Sequence, residues 1–131
     1  MDIIESIKNK YNTSDNFPQS LGIELKELAP GYARVSMVLR ENMVNFHGIG
    51  HGGAIFTLAD TALGLASNTY GQPAVALTVT IDYLAPARLG MELVAIAKEE
   101  HLSKRTGVYQ VKILTSTGDN IAQARGIVYR K

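Results

Sequence analysis

Gly52-Gly-Ala-Ile-Phe-Thr-Leu-Ala-Asp60-Thr-Ala-Leu-Gly-Leu-Ala66 is the stretch on which the fold of this chain turns. Wound at 3.6 residues per turn it is apolar on almost every side, which predicts a helix buried inside the protein and not one lying on its surface. Gly71-Gln72-Pro73 ends that helix near Tyr70, because glycine after the last turn followed by proline is a stop signal. Asp60 is the one formally charged side chain in the forty residues from Asn42 to Ile81. A carboxylate taken out of water without a partner costs at least ~1–3 kcal/mol on mutational scales. Asp60 therefore either has a dedicated partner or is placed there for chemistry.

Around this helix the hydrophobic period drops from 3.6 to two. Residues 21–28 read as a strand and Pro30-Gly31 as a turn. Ala33, Val35, Met37 and Leu39 then alternate with Arg34, Ser36 and Arg40 as a half-buried strand. Residues 42–50 form a loop into the helix. Beyond it, Val75, Leu77, Val79, Ile81 and Tyr83 face one way and Thr78, Thr80 and Asp82 the other. Pro86 and Gly90 mark a turn, residues 91–100 continue extended, and residues 108–115 and 121–129 make a hairpin about Thr117-Gly118-Asp119-Asn120. At the front, Ile3, Ile4 and Ile7 share one face of a short helix over residues 3–11, which residues 12–16 break. The order predicts an α+β domain, an antiparallel sheet of five to six strands wrapped around one central buried helix. Residues 1–131 form a single domain in this scheme, with 1–20 as an N-terminal helical extension.

The bulk numbers narrow the function classes. A chain of 131 residues with 46% hydrophobic and 19% charged side chains has the composition of a soluble globular domain. A net charge of +1 argues against a partner held by phosphate neutralisation, so no nucleic acid is expected. Residues 82–131 hold eight Lys/Arg against five Asp/Glu, a small excess that reads as a solvated face. The absence of cysteine removes disulfides, thiolate nucleophiles and Cys-type zinc sites together and fits a reducing compartment. The N-terminus lacks a signal-peptide pattern, and the longest charge-poor run is interrupted by Asp60, so the expectation is a cytoplasmic protein without a membrane partner.

Candidate chemistry gathers at the helix start. His51-Gly52-Gly53 places two residues without side chains where backbone N–H groups are free and the helix carries about half a positive charge. Such donors suit an oxyanion; the same dipeptide also suits a tight loop-to-helix turn. His51 is a base by type, though a histidine beside a helix start more often orients the loop. Asn45 offers an amide to a carbonyl or a water. His47 and His101 show no partner pattern, and His47, His51 and Asp60 do not have zinc-site spacing, so no metal is expected. Asp60 suits a general base or a nucleophile, or else a structural contact to another element. Gly52 and Asp60 are eight residues apart, roughly 12 Å along a straight helix. One carbonyl is beyond the reach of both within one chain, so a shared site demands two antiparallel helices across a two-fold axis.

Asn45, His51-Gly52-Gly53 and Asp60 at these spacings, with Thr78 and the turn Tyr83-Leu-Ala-Pro86-Ala-Arg88-Leu-Gly90, resemble the hotdog-fold acyl-CoA thioesterases of the phenylacetate-pathway (PaaI-like) branch. The likeness covers residues 20–129. It implies an acyl-CoA thioesterase acting on aryl- or fatty-acyl-CoA, with no cofactor. The Gly52 N–H would polarise the thioester carbonyl, and the other subunit's copy of Asp60 would serve as base or nucleophile. Asn45 and His51 would support them, and the Thr78 hydroxyl would hold the attacking water. The resemblance also marks Gly53, Tyr83 and Arg88 as substrate-binding positions, Arg88 against the CoA phosphates. The assembly it implies is a homotetramer of two dimers with shared sites. The branch with glutamate on this helix fits less well, since residues 52–66 contain none. A hotdog hydratase or dehydratase, and a non-catalytic acyl-CoA-binding protein, are the alternatives. The first wants an Asp/His pair closer than His51 and Asp60; the second, in its sensor form, wants a DNA-binding domain that the twenty residues before the first strand do not accommodate.

Overall fold

The computed structural model describes residues 2–131. Helix α1 (Ile3–Ser14) opens on a side-chain cap, Asp2 Oδ1 accepting the Glu5 N–H at 2.8 Å. It runs past the break expected at residues 12–16 because tertiary contacts hold its last turn. Tyr11 is buried and donates its hydroxyl to the Ile23 carbonyl at 2.6 Å, and Gln19 Nε2 donates to the Tyr11 carbonyl at 2.9 Å. A second short helix, α2 (Asn16–Ser20), follows where the sequence suggested only loop.

The strands are β1 (Glu24–Ala29), β2 (Tyr32–Val38), β3 (Ala74–Tyr83), β4 (Glu92–Leu102), β5 (Thr106–Thr115) and β6 (Asn120–Arg130), and helix α3 (Gly52–Ser67) lies between β2 and β3 in the chain. They form one six-stranded antiparallel sheet in the order β1-β2-β4-β5-β6-β3. The connection from β2 to β3 must therefore cross four strand spacings, roughly 19 Å. A 16-residue helix is roughly 24 Å long and spans that distance. Packing against all six strands, α3 is the core about which the sheet curves.

Small residues on the strands make room for it. Ala33, Ala97, Val111 and Ala124 lie side by side across β2, β4, β5 and β6, and Val35, Ala95, Ile113 and Ala122 form the next row. All eight are buried. Against them α3 turns Ile55, Leu58, Ala59, Ala62, Leu63 and Ala66. Gly126 takes this to its limit, since a Cβ there would stand 2.5 Å from Leu63 Cδ2. Gly126→Ala is expected to lower unfolding stability by about 1–3 kcal/mol, the range for overpacking a filled core. A urea midpoint equal to the parent's would show that Leu63 moves aside freely.

Three expectations are corrected. Val75, Leu77, Val79, Ile81 and Tyr83 do not share a face, because the β3–β6 register slips between Ala76 and Thr78. One residue of a bulge reverses the alternation: Ala74, Ala76, Val79, Ile81 and Tyr83 turn towards α3, and Val75 points away. The central helix is not buried all round either. Gly53, Asp60 and Gly64 are exposed along one stripe of α3, with Phe56, Thr57, Thr61 and Asn68 half-buried beside them. The helix also ends at Ser67, three residues before Tyr70, where the Asn68 side chain accepts the Ala74 N–H and donates to the Gly64 and Ala74 carbonyls.

Candidate functional site

The loop into α3 is tied down from within. Asn45 Oδ1 accepts the N–H groups of His47 at 2.9 Å and Ile49 at 3.2 Å, while its own backbone N–H donates to the Ile49 carbonyl at 2.8 Å. The Asn45 side-chain oxygen is thus committed to the loop, and the amide NH2 is the part left for a ligand. Gly50 N–H donates to the Ala87 carbonyl at 2.7 Å, and Ile49 pairs with Arg88 in an isolated bridge. Loop 45–50 and the turn carrying Arg88 are therefore one structural unit.

His51 is the N-cap of α3. Its Nδ1 accepts the Gly53 N–H at 3.1 Å, and its carbonyl accepts from Ala54 and Ile55 at 3.0 and 3.2 Å. That bond places the proton of the neutral ring on Nε2 and gives Nδ1 a helix-capping task. It also separates the two glycines. Gly53 N–H is taken, whereas Gly52 N–H donates to no group among the described residues and stands free at the positive end of the helix. Tyr83 closes over this point: its hydroxyl donates to the Gly52 carbonyl at 3.0 Å, and a Cβ on Gly52 would meet its ring at 3.3 Å. Gly52, Ile55 and Tyr83 line a cavity of ≈ 410 Å³ with residues 84–87.

Asp60 lies elsewhere. It is exposed in the single chain, contrary to the burial expected from its neighbours, because it falls on the outer stripe of α3. It lines a second cavity of ≈ 610 Å³ between α3 and the α1–α2 segment. No hydrogen bond or ion pair engages its carboxylate among the described residues. The walls of that groove desolvate the group enough to push its pKa above the ordinary carboxylate value. Asp60 is thus open to solvent on one side and without a partner among the described residues.

The remaining candidates are placed as follows. Thr78 is exposed on β3 with Thr80 and Asp82, on the sheet face turned away from α3, and shares a cavity with neither Gly52 nor Asp60. Arg88 is exposed, with its backbone N–H on Met91 Sδ at 3.3 Å, and its guanidinium enters no ion pair among the described residues. No group of three His, Asp or Glu side chains among the described residues is arranged to hold a metal. No described helix is long and apolar enough to cross a membrane. Sequence patterning did not find the groove wall formed by Tyr11, Phe17 and Pro18; the apolar Phe17-Pro18 pair after a polar run is the one signal of it.

Comparison with known proteins adds a family. Residues 47–122 match the sequence model described as the Thioesterase superfamily. The Escherichia coli acyl-coenzyme A thioesterase PaaI is 39% identical over 117 residues, covering 89% of this chain and 84% of that protein. The solved structure of E. coli PaaI, from the phenylacetic acid degradation operon, superposes with a TM-score of 0.95 at 36% identity, covering 98% of this chain and 94% of that one. A hypothetical thioesterase protein of Streptococcus pneumoniae, solved with coenzyme A, gives a TM-score of 0.80 at 28% identity over 83% of this chain and 85% of its own.

Proposed function

The chain belongs to the thioesterase superfamily, and from that premise we propose that it hydrolyses acyl-coenzyme A thioesters at sites shared between two subunits. The observation that carries the proposal is the presence of two uncommitted groups on one helix, the Gly52 N–H and the Asp60 carboxylate, in separate cavities. Their spacing keeps them from one carbonyl within a chain, and a second antiparallel α3 removes that obstacle. The thioester carbonyl oxygen takes a hydrogen bond from Gly52 N–H of one subunit. Asp60 of the other accepts a proton from water as it attacks the carbonyl carbon, or attacks that carbon itself to form a mixed anhydride that water then hydrolyses, freeing the carboxylate again. The C–S bond breaks, the thiolate of coenzyme A takes up a proton, and the free acid leaves. His51 holds the helix start, the Asn45 amide borders the carbonyl, and Arg88 and Tyr83 border the nucleotide-bearing arm.

Pairing of subunits is supported by the free edge of the sheet. β3 is an edge strand, and on it Val75 is 49% and Leu77 61% exposed. A long apolar edge left open invites a second copy. Thr78, on that same strand, belongs to the scheme only as a contact across the seam. Two such pairs would give the tetramer implied by the resemblance. The test is release of free thiol from a panel of straight-chain and aryl acyl-CoAs, with sedimentation under assay conditions. Turnover by a dimer or larger assembly is expected. An active monomer would sink the shared site, and no thiol release from any member of the panel would sink the hydrolase.

A further inference from the structure

We infer that the groove between the N-terminal helices and α3 seats the acyl group, and that the N-terminal wall at Phe17 selects which acyl groups enter. This rests on Asp60 being the group that works at the thioester carbonyl. The groove has the ≈ 610 Å³ volume of a small-molecule pocket and is lined by Ile7, Tyr11, Phe17 and Pro18, with the polar Lys10, Ser14 and Asp15, on one side and by Phe56 and Leu65 on the other. Its polar residues on α3 are mostly spent on the helix itself. Thr57 Oγ1 donates to the Gly53 carbonyl at 2.8 Å and Thr61 Oγ1 to the Thr57 carbonyl at 2.7 Å. Asn68 is occupied with Gly64 and Ala74. Tyr11 gives its hydroxyl to Ile23 and leaves its ring to the groove. What the α3 wall offers an occupant is thus apolar surface and one uncommitted carboxylate.

The groove also has a direction. Gly64 and Asn68 follow Asp60 at successive i+4 positions on one face, and a Cβ at Gly64 would touch nothing within 4 Å. An acyl group with its carbonyl at Asp60 lies past the open space at Gly64, along eight residues or roughly 12 Å of helix. That length and the apolar α3 wall fit an acyl group longer than acetyl, either a medium straight chain or an aryl ring on a short arm. The far wall, residues 7–18, falls outside residues 47–122 matched by the family model, so selectivity comes from a part of the chain that the family pattern does not cover.

The experiment compares kcat/KM for acetyl-, butyryl-, hexanoyl-, octanoyl- and phenylacetyl-CoA in the parent, Phe17→Ala and Gly64→Leu. The parent should gain roughly fourfold per methylene until the groove is full, as about 0.8 kcal/mol per buried methylene implies. Gly64→Leu fills the open space and should lower the octanoyl-to-acetyl ratio by about tenfold or more. Phe17→Ala, at a side chain 66% exposed and without a hydrogen-bonding task, should flatten the rise with chain length. Ratios unmoved in both variants, or all substrates lowered in equal proportion, overturn the assignment. A changed sedimentation of Gly64→Leu with an unmoved profile in Phe17→Ala marks the groove as a seam between copies and also overturns it. If the parent hydrolyses no thioester, the hydrolase proposal has failed instead. The groove is then judged by binding of octyl-CoA thioether, which both variants must weaken.

Discussion

Asp60→Asn is expected to fold, to keep the parent's oligomeric state and to lose thioester hydrolysis by about 10²–10⁴-fold, the range for removing a positioned base. Asparagine has nearly the shape of aspartate but neither accepts a proton nor attacks a carbonyl as an anion. The same substitution has a second, opposite consequence for stability. Desolvation in the groove holds the Asp60 carboxyl above its ordinary pKa in the folded chain. Folding therefore favours the protonated form. The stability this gives is full below the ordinary carboxylate pKa and is lost as pH rises through the raised folded value. At neutral pH the parent carries the ionised group at a cost that the amide does not. Asp60→Asn should thus melt at or above the parent's temperature near pH 7, the difference shrinking in acid. For the parent, kcat/KM should rise with pH through the raised pKa, since the working form is the carboxylate. Unchanged thiol release would remove Asp60 from the mechanism. A lower melting temperature, with activity lost only in proportion to unfolded protein, would make Asp60 a structural residue.

The split behaviour of Asp60 shows where sequence stops informing. Periodicity located α3, its glycine-rich start and the strands on either side, because burying an apolar helix under an antiparallel sheet leaves a pattern in each element taken alone. The row Ala33, Ala97, Val111, Ala124 is invisible in any one strand and exists only through register. The reversal at the Ala76/Thr78 bulge is likewise a property of a strand pair, and it moved Val75 off the face assigned to it. α1 and α2 extend through residues of weak helical character because Tyr11 and Gln19 are anchored from other elements. At the site, residue type left the two glycines equivalent, and it was the resemblance that named Gly52. The His51 Nδ1 bond distinguishes them physically, leaving Gly52 as the free donor. Thr78, at the spacing the resemblance assigned to it, faces away from the concave side of its own chain. The bulge moved Val75 and not Thr78, which keeps the face opposite Val79 and Ile81 that alternation predicts.

Gly52→Pro tests the other half of the site and the sharing of it in one experiment. Proline lacks the N–H that the oxyanion needs, yet the first helical position is where a helix accepts proline best. The preceding residue is already suited to it, with His51 at φ −64° and ψ 136°, in the extended region that proline imposes on its neighbour. The added Cβ meets Tyr83 at 3.3 Å, and that side chain, 51% exposed, has room to yield a few tenths of an ångström. The variant should therefore keep its fold and lose about 10²–10³-fold in kcat, as for removal of one oxyanion donor. Mixed with Asp60→Asn under conditions that exchange subunits, it should regain activity that neither protein has alone. A hybrid pair of chains carries both defects in one site and none in the other. Random mixing in equal amounts makes about half of the pairs hybrid, so about a quarter of all sites become intact. Were Gly52 and Asp60 of one site drawn from the same chain, every site in the mixture would keep one defect and no activity would return. Recovery near a quarter of the parent's rate thus requires that the free N–H and the free carboxylate act on one substrate from two different helices.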